Sequence, residues 1–213
     1  MKIFYWLAVL QFLGILNACV PAESGSTTLI SHTDGLAQIE FVNRCDHDVV
    51  FGRMGAGDFG TIKRGATAVR TLGPDNQQYL ALAYYGYKPG AHPGFGNMTL
   101  AEFTFNTFHK IDFFDISLVD AYNIGMRINN RGNTCREAIC GGDILETCPA
   151  AQKIIKDGKV ISCSKKGDRD NPNNPSARHF EKRCGNVYSW SGDNEATIGC
   201  DAQDYTVTFC PYR

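Results

Sequence analysis

Two β-type runs, Thr99 to Asn106 and Ile111 to Asp120, flank the turn-like tetrad Thr107-Phe108-His109-Lys110. If those four residues form a hairpin loop, Asn106 pairs with Ile111 and Glu102 falls opposite Asp115. Directly opposed side chains share one face with Cβ atoms about 5 Å apart, and like charges placed so destabilise a hairpin. Two such carboxylates repel unless one keeps a proton, or a cation or ligand hydroxyl meets them. The arrangement suits hydroxyl recognition, because ionised carboxylates only accept hydrogen bonds. It also suits general acid and nucleophile or base work on a glycosidic bond. Under strict alternation Asp112 falls on the opposite face, so a bulge or strand end is needed to bring it beside the pair. The competing reading is a solvated acidic sheet face in another register. Tyr84 and Tyr85, on a neighbouring strand, are candidates for an apolar platform beside the acids.

The elements that must position these residues are short. β-type runs recur at 39–42, 49–51, 66–72, 79–85, 99–105, 111–119 and 205–209, punctuated by Gly, Pro and Asn. Short helices are expected at Asp143 to Lys156 and Ala177 to Cys184. The plan is all-β with a looser, cysteine-rich insertion. Residues 149–184 carry nine Lys and Arg against four acids, a local net of +5, which reads as a solvated lobe surface.

The first residues read as a secretory signal: Met1-Lys2, then an apolar run from Ile3 to Leu16, then small residues that permit cleavage after Ala22. The run is too short to span a bilayer, and no other stretch is apolar enough to do so. Leu16-Asn17-Ala18-Cys19 offers a bacterial alternative, in which Cys19 becomes lipid-anchored. The expected organisation is a cleaved signal at 1–22, a flexible leader at 23–37 and one domain at 38–213. The chain has nine cysteines, and setting Cys19 aside leaves eight, which in an exported chain reads as four disulfides.

Several function classes lose ground. A formal net charge of -1 gives no general pull on phosphate backbones, so no nucleic-acid partner is expected. No Cys-x-x-Cys pair exists and the five histidines are scattered, so no metal or cofactor is expected. Gly55-Ala56-Gly57-Asp58-Phe59-Gly60 matches a dinucleotide fingerprint only as a string, and in this context reads as a permissive hairpin loop. Asn97-Met98-Thr99 is an acceptor sequon for N-glycosylation if the host is eukaryotic.

The segment around the paired acids resembles the thaumatin-like protein family. The likeness rests on Thr99-Leu100-Ala101-Glu102-Phe103, on Asp112-Phe113-Phe114-Asp115-Ile116-Ser117-Leu118-Val119-Asp120, and on Tyr122-Asn123-Ile124. It extends to Phe41-Val42-Asn43-Arg44-Cys45, Arg178 to Cys184, and Tyr205 to Pro211. The resemblance implies a two-sheet antiparallel β-sandwich with a disulfide-rich lobe at about 135–200. It implies the bridges Cys45–Cys210, Cys135–Cys200, Cys140–Cys184 and Cys148–Cys163. It also implies an acidic cleft of one Arg, one Glu and three Asp, of which Glu102, Asp112 and Asp115 match three positions. The Arg position falls near Leu80 to Tyr84, where no arginine stands, and the last Asp falls near Pro175, with Asp170 and Asn174 close by. The stretch from Gly86 to Met98 is shorter than the family's, which lowers one wall of the cleft. The functional expectation is a secreted, monomeric, antifungal or defence protein that binds cell-wall β-1,3-glucan. One alternative is a weak endo-β-1,3-glucanase using Glu102 and Asp115. The other is a non-carbohydrate interaction protein whose cleft does nothing.

Overall fold

The computed structural model describes residues 36–74 and 77–212, so the expected signal, most of the expected leader and Cys19 lie outside the described residues. Fourteen strands follow in order: β1 (Leu36–Asn43), β2 (Val49–Arg53), β3 (Gly57–Ile62), β4 (Thr67–Pro74), β5 (Tyr79–Tyr87), β6 (Leu100–Phe105) and β7 (Asp112–Ser117). Then come β8 (Ala121–Tyr122), β9 (Met126–Asn130), β10 (Ala138–Cys140), β11 (Lys153–Lys156), β12 (Lys159–Ser164), β13 (Ile198–Cys200) and β14 (Asp204–Phe209). The single α-helix among the described residues, α1, spans Pro175–Cys184.

The strands form a five-stranded sheet, β10-β9-β14-β1-β4, and a six-stranded sheet, β13-β7-β6-β5-β2-β3. Alternation turns one face of each sheet inward. Phe103 of β6 meets Tyr205 of β14 at 5.3 Å between ring centroids, and Phe41 of β1 meets Phe51 of β2 at 5.1 Å. The aromatic core therefore lies between the two sheets. Pairing is antiparallel except that β1 and β14 run parallel, side by side in the middle of their sheet. The Cys45–Cys210 disulfide fastens that pair just beyond its end, where the Arg44 amide also donates to Phe209 O at 3.1 Å. The other bonds are Cys135–Cys200, Cys140–Cys184 and Cys148–Cys163, the pairs that the resemblance implies.

β1 takes in two residues that the sequence reading placed in the leader. Leu36 and Ala37 already belong to β1, and Ala37 is buried. A second difference lies in the lobe. Asp143 to Lys156 is not helical: it makes turns and a single 3-10 turn at Ala150–Gln152, then enters β11, which pairs with β12. The cause is the dipeptide Asp157-Gly158, both at positive φ (50° and 74°), which makes the tight two-residue hairpin that joins Lys156 to Lys159. β11, β12 and β8 form a small third sheet. α1 begins at Pro175, whose missing N–H costs nothing there, and the Asn174 side chain accepts from the Ser176 amide at 2.9 Å. Gly185, at φ 75°, ends it.

Candidate functional site: an acidic cleft on the β6–β7 hairpin

β6 and β7 pair with Glu102 opposite Asp115, Ala101 opposite Ile116 and Phe103 opposite Phe114. Alternation sends Ala101, Phe103, Phe114 and Ile116 into the core. Glu102, Asp115 and Ser117 are left on the other face. That face is partly covered, because two segments of the lobe dock against the hairpin: Asp115 is buried, Glu102 is half-buried and Phe113 stays exposed. The Tyr188 amide donates to Ile116 O at 3.0 Å, and the Leu118 amide donates to Tyr188 O at 2.8 Å. The Lys165 amide donates to Asp120 O at 2.9 Å, and the Arg169 guanidinium pairs with the Asp120 carboxylate at 3.1 Å.

This covering sets the electrostatics. Asp115 is 8% exposed, and its Oδ1 has no hydrogen-bond partner among the described residues. Burial raises its pKa to about 8, the Glu102 charge opposite and Asp193 add to the rise, and a hydrogen bond with Thr197 opposes it. Burial also raises Glu102, but a hydrogen bond from Ser117 and the nearby Arg169 charge favour its ionised form. Asp115 is thus the more strongly raised of the two, while the Ser117 and Arg169 contacts oppose the rise at Glu102. The environments push two facing carboxyls apart in acidity, which is how one site carries an acid and a base together.

Lys165 organises the cover. It is 1% exposed, and its ammonium donates to Arg169 O at 3.1 Å and Ser189 O at 3.0 Å. Burial lowers its pKa, while Asp168, Asp120, Asp170 and Glu181 act in the opposite sense. One buried cation thus ties the segment carrying Arg169 to the segment carrying Tyr188 and Asp193. Asp193 is held by the Ser189 amide at 3.1 Å and its hydroxyl at 3.3 Å.

Asp112 does not join the pair. It starts β7 on the face of Phe114 and Ile116, where Oδ1 accepts from the Asn106 amide at 2.7 Å and Oδ2 accepts from the Tyr205 hydroxyl at 2.9 Å. Burial lifts its pKa to about 6 despite those two donors. It holds the hairpin turn against the core. Asp112→Ala is expected to destabilise the fold by roughly 1–3 kcal/mol, because the Asn106 amide loses its side-chain acceptor and the Tyr205 hydroxyl keeps only the long contact to Ala202 O at 3.5 Å. Urea unfolding of Asp112→Ala and Asp112→Asn checks this, the asparagine recovering part of the loss.

Three other sequence expectations are corrected. Tyr84 and Tyr85 offer no platform: Tyr84 is 2% exposed against Phe41, Phe59 and Phe103, and Tyr85 is fully buried with its hydroxyl on Asp58 at 3.0 Å. The aromatic residue beside the acids is Tyr188, whose pKa is raised first by burial and then by the charges of Asp115 and Glu102. No arginine comes from the Leu80 to Tyr84 stretch; the one near the pair is Arg169, which pairs with Asp120 and favours the charge on Glu102. The acid near the pair is Asp193, whereas Asn174 caps α1 and Asp170 accepts from the Ser191 hydroxyl. No periodicity points to Arg169, Tyr188 or Asp193, which reach the hairpin only through lobe segments held by Cys140–Cys184 and Cys135–Cys200. At the sequon, the Asn97 side-chain nitrogen donates to Pro93 O at 3.2 Å, so glycosylation there requires that bond to open. Among the described residues no group of three His, Cys, Asp or Glu side chains is placed to hold a metal ion, and no helix is long and apolar enough to cross a membrane.

Comparison with known proteins gives the same direction. The chain is 36% identical over 133 residues to pathogenesis-related thaumatin-like protein 3.5 of Cryptomeria japonica, covering 54% of each. It is 32% identical over 133 residues to pathogenesis-related protein 5 of Arabidopsis thaliana, covering 54% of this chain and 56% of the relative. The alignments thus span about half the length of these curated relatives. Among solved structures, the protein elicitor MoHrip2 from Magnaporthe oryzae aligns at a TM-score of 0.43 and 11% identity, over 82% of this chain and 98% of the other. The profile of the Thaumatin family matches residues 90–211, a span that holds the acid pair, the lobe and the final strand. That match takes in more than half of the chain, and the chain belongs to the thaumatin family.

Proposed function

We propose that this protein is an extracellular, defence-related module that recognises β-1,3-glucan of cell walls through the Glu102–Asp115 cleft. One observation carries the reading: a buried carboxyl oxygen, Asp115 Oδ1, without a protein partner and directly opposite a second carboxyl. Buried polar atoms are almost always paired, so an orphaned one at a covered acidic site calls for an external hydrogen-bonding group. A neutral glucan supplies hydroxyls, which both donate and accept. The pair answers both roles, Glu102 accepting and protonated Asp115 donating. Arg169 and Asp120, already paired, frame the site with polar groups, and Tyr188 places an aromatic ring at its edge. Four disulfides support an oxidising, extracellular setting. The defence role follows the pathogenesis-related names of the relatives.

A second reading has its own support. A carboxyl that keeps its proton to about pH 8, facing one that ionises more readily, has the two components of glycoside hydrolysis. In that reading Asp115 is the general acid and Glu102 the nucleophile or base, and the protein is a weak endo-β-1,3-glucanase.

Pull-down on insoluble β-1,3-glucan, run beside reducing-end release from a soluble glucan, tests both. Wild type is expected to bind, and the Glu102→Gln/Asp115→Asn double variant to bind at least about tenfold more weakly, since two hydrogen bonds to polar or charged groups are lost. Binding kept with hydrolysis lost supports the enzyme. Absence of binding by wild type to any insoluble polysaccharide leaves the non-carbohydrate alternative.

A further inference from the structure

A groove of about 750 Å³ lies away from the acid pair and shares no lining residue with it. Its sides come from the shortened 88–91 segment, the β11–β12 hairpin, the 141–146 turns and Pro211-Tyr212. Lys156 crosses between two of them, its ammonium donating to Gly90 O at 2.8 Å. Two features of the lining point to a ligand. Tyr122 is 3% exposed, yet its hydroxyl has no hydrogen-bond partner among the described residues, although its carbonyl accepts from Ser162 at 3.2 Å. The oxygen is not fully enclosed: it opens onto the groove, where a ligand hydroxyl can reach it. It lies where the floor is kept open by glycine: a methyl at Gly125 would come within 3.2 Å of Cys140 O and 3.3 Å of the Tyr122 hydroxyl. The second feature is Tyr212, whose ring lies over Gly141 so closely that a Cβ there would be 2.7 Å away, and which stays 62% exposed. An unpaired phenol in the floor and a supported, exposed ring at the rim make a site with one polar anchor and one stacking surface.

The charges narrow the class of ligand. Lys88, Lys156 and Lys159 stand against Asp143, Glu146 and Asp157, and because Asp143 is also paired with Arg183 at 2.7 Å the lining keeps a small excess of positive charge. An anionic ligand calls for a larger excess of cations, and a wholly apolar one for fewer charged groups; this groove exposes polar and apolar surface in about equal measure. Mixed donors and acceptors with little net charge, apolar surface beside them, an aromatic face and an unpaired hydroxyl suit a neutral polyhydroxylated ligand. We propose that this groove is a second saccharide site, which takes a short segment of a neutral oligosaccharide over the Tyr212 ring with one hydroxyl on Tyr122. It shares a ligand class with the glucan reading but does not rest on the acid pair acting. Two sites on one rigid domain allow bivalent attachment to an insoluble polysaccharide, where the second contact is made at high effective concentration.

The test follows the amide resonances of the mature protein during titration with β-1,3-gluco-, cello- and chito-hexasaccharides, with a sulfated hexasaccharide for comparison. At least one neutral probe is expected to shift the Gly125, Gly141 and Gly142 amides. Tyr122→Phe removes one oxygen and Tyr212→Ala removes an exposed ring, so both variants are expected to fold. Each is expected to weaken that response by roughly three- to tenfold. Glu102→Gln/Asp115→Asn is expected to leave it unchanged, and this outcome supports the groove even where the cleft reading fails. The proposal is overturned if no neutral probe moves those amides, if both tyrosine variants bind as wild type does, or if the sulfated probe binds most tightly.

Discussion

Replacing both Cys45 and Cys210 by alanine is expected to lower the stability of this domain by about 5 kcal/mol in the chain-entropy account of disulfides. The two residues are 165 positions apart, so their bond joins the two ends of the fold and removes a very large set of unfolded conformations. The cost is comparable to the whole stability of many domains. β1 and β14 still pair in parallel without the bond, but each must then find the other across the full chain. For a domain of this size the expected fall in melting temperature is about 10–20 °C. The pair Cys148–Cys163, separated by 15 residues, provides the internal comparison, with an expected loss of about 3 kcal/mol. Calorimetric scans of the two double variants check the order. A Cys45/Cys210 variant that melts no lower than the Cys148/Cys163 variant would contradict it.

Asp115→Asn is expected to make the protein more stable, and increasingly so as pH rises. The carboxyl titrates near 8 in the folded protein and near 3.8 in the unfolded chain, so the folded state retains a proton that the unfolded state releases. For a raised pKa the stabilisation is complete below the unfolded value, declines through the interval and is gone above the folded value. The penalty therefore grows from about pH 4 to about pH 8 and then levels off. Asparagine keeps the shape of the neutral carboxyl and has no proton to lose. The melting temperatures of variant and wild type should nearly coincide at pH 4 and separate by several degrees at pH 8 to 9. Glu102→Gln should show the same sign, because removing the facing charge relieves Asp115. Gaining stability by deleting a residue is the mark of a group kept for binding or chemistry rather than for the fold. A variant less stable than wild type throughout would mean that Asp115 is a structural residue.

Much of this arrangement was legible in local patterns. The β6–β7 pairing follows from a four-residue loop and alternating core residues, and a one-residue slip would have turned Phe103 and Phe114 away from the core. The pairing of the acids came with it. The Asp157-Gly158 turn between Lys-Ile-Ile-Lys and Lys-Val-Ile-Ser is an equally local signal, and in the structure it prevails over the helix expected at Asp143 to Lys156. The cover over the acids was not legible. Arg169 lies in a basic stretch that reads as solvated surface, Asp193 in an irregular loop, and Lys165 is buried by contacts with backbone carbonyls. Such positions depend on long-range closure and leave no period in the sequence. Asp112 and Asp115, three residues apart, face opposite ways, one holding the core and the other the cleft.

The central claim is that Asp115 is held partly protonated in a covered cleft and meets the hydroxyls of a neutral glucan. Carboxyl-carbon resonances, assigned by comparison with the Asp115→Asn protein and titrated with and without a soluble β-1,3-glucan, test it most directly. The expected result is an Asp115 carboxyl that titrates near pH 8 and whose resonance moves when the glucan is added. A carboxyl that titrates near pH 4 and does not respond to the glucan would contradict it.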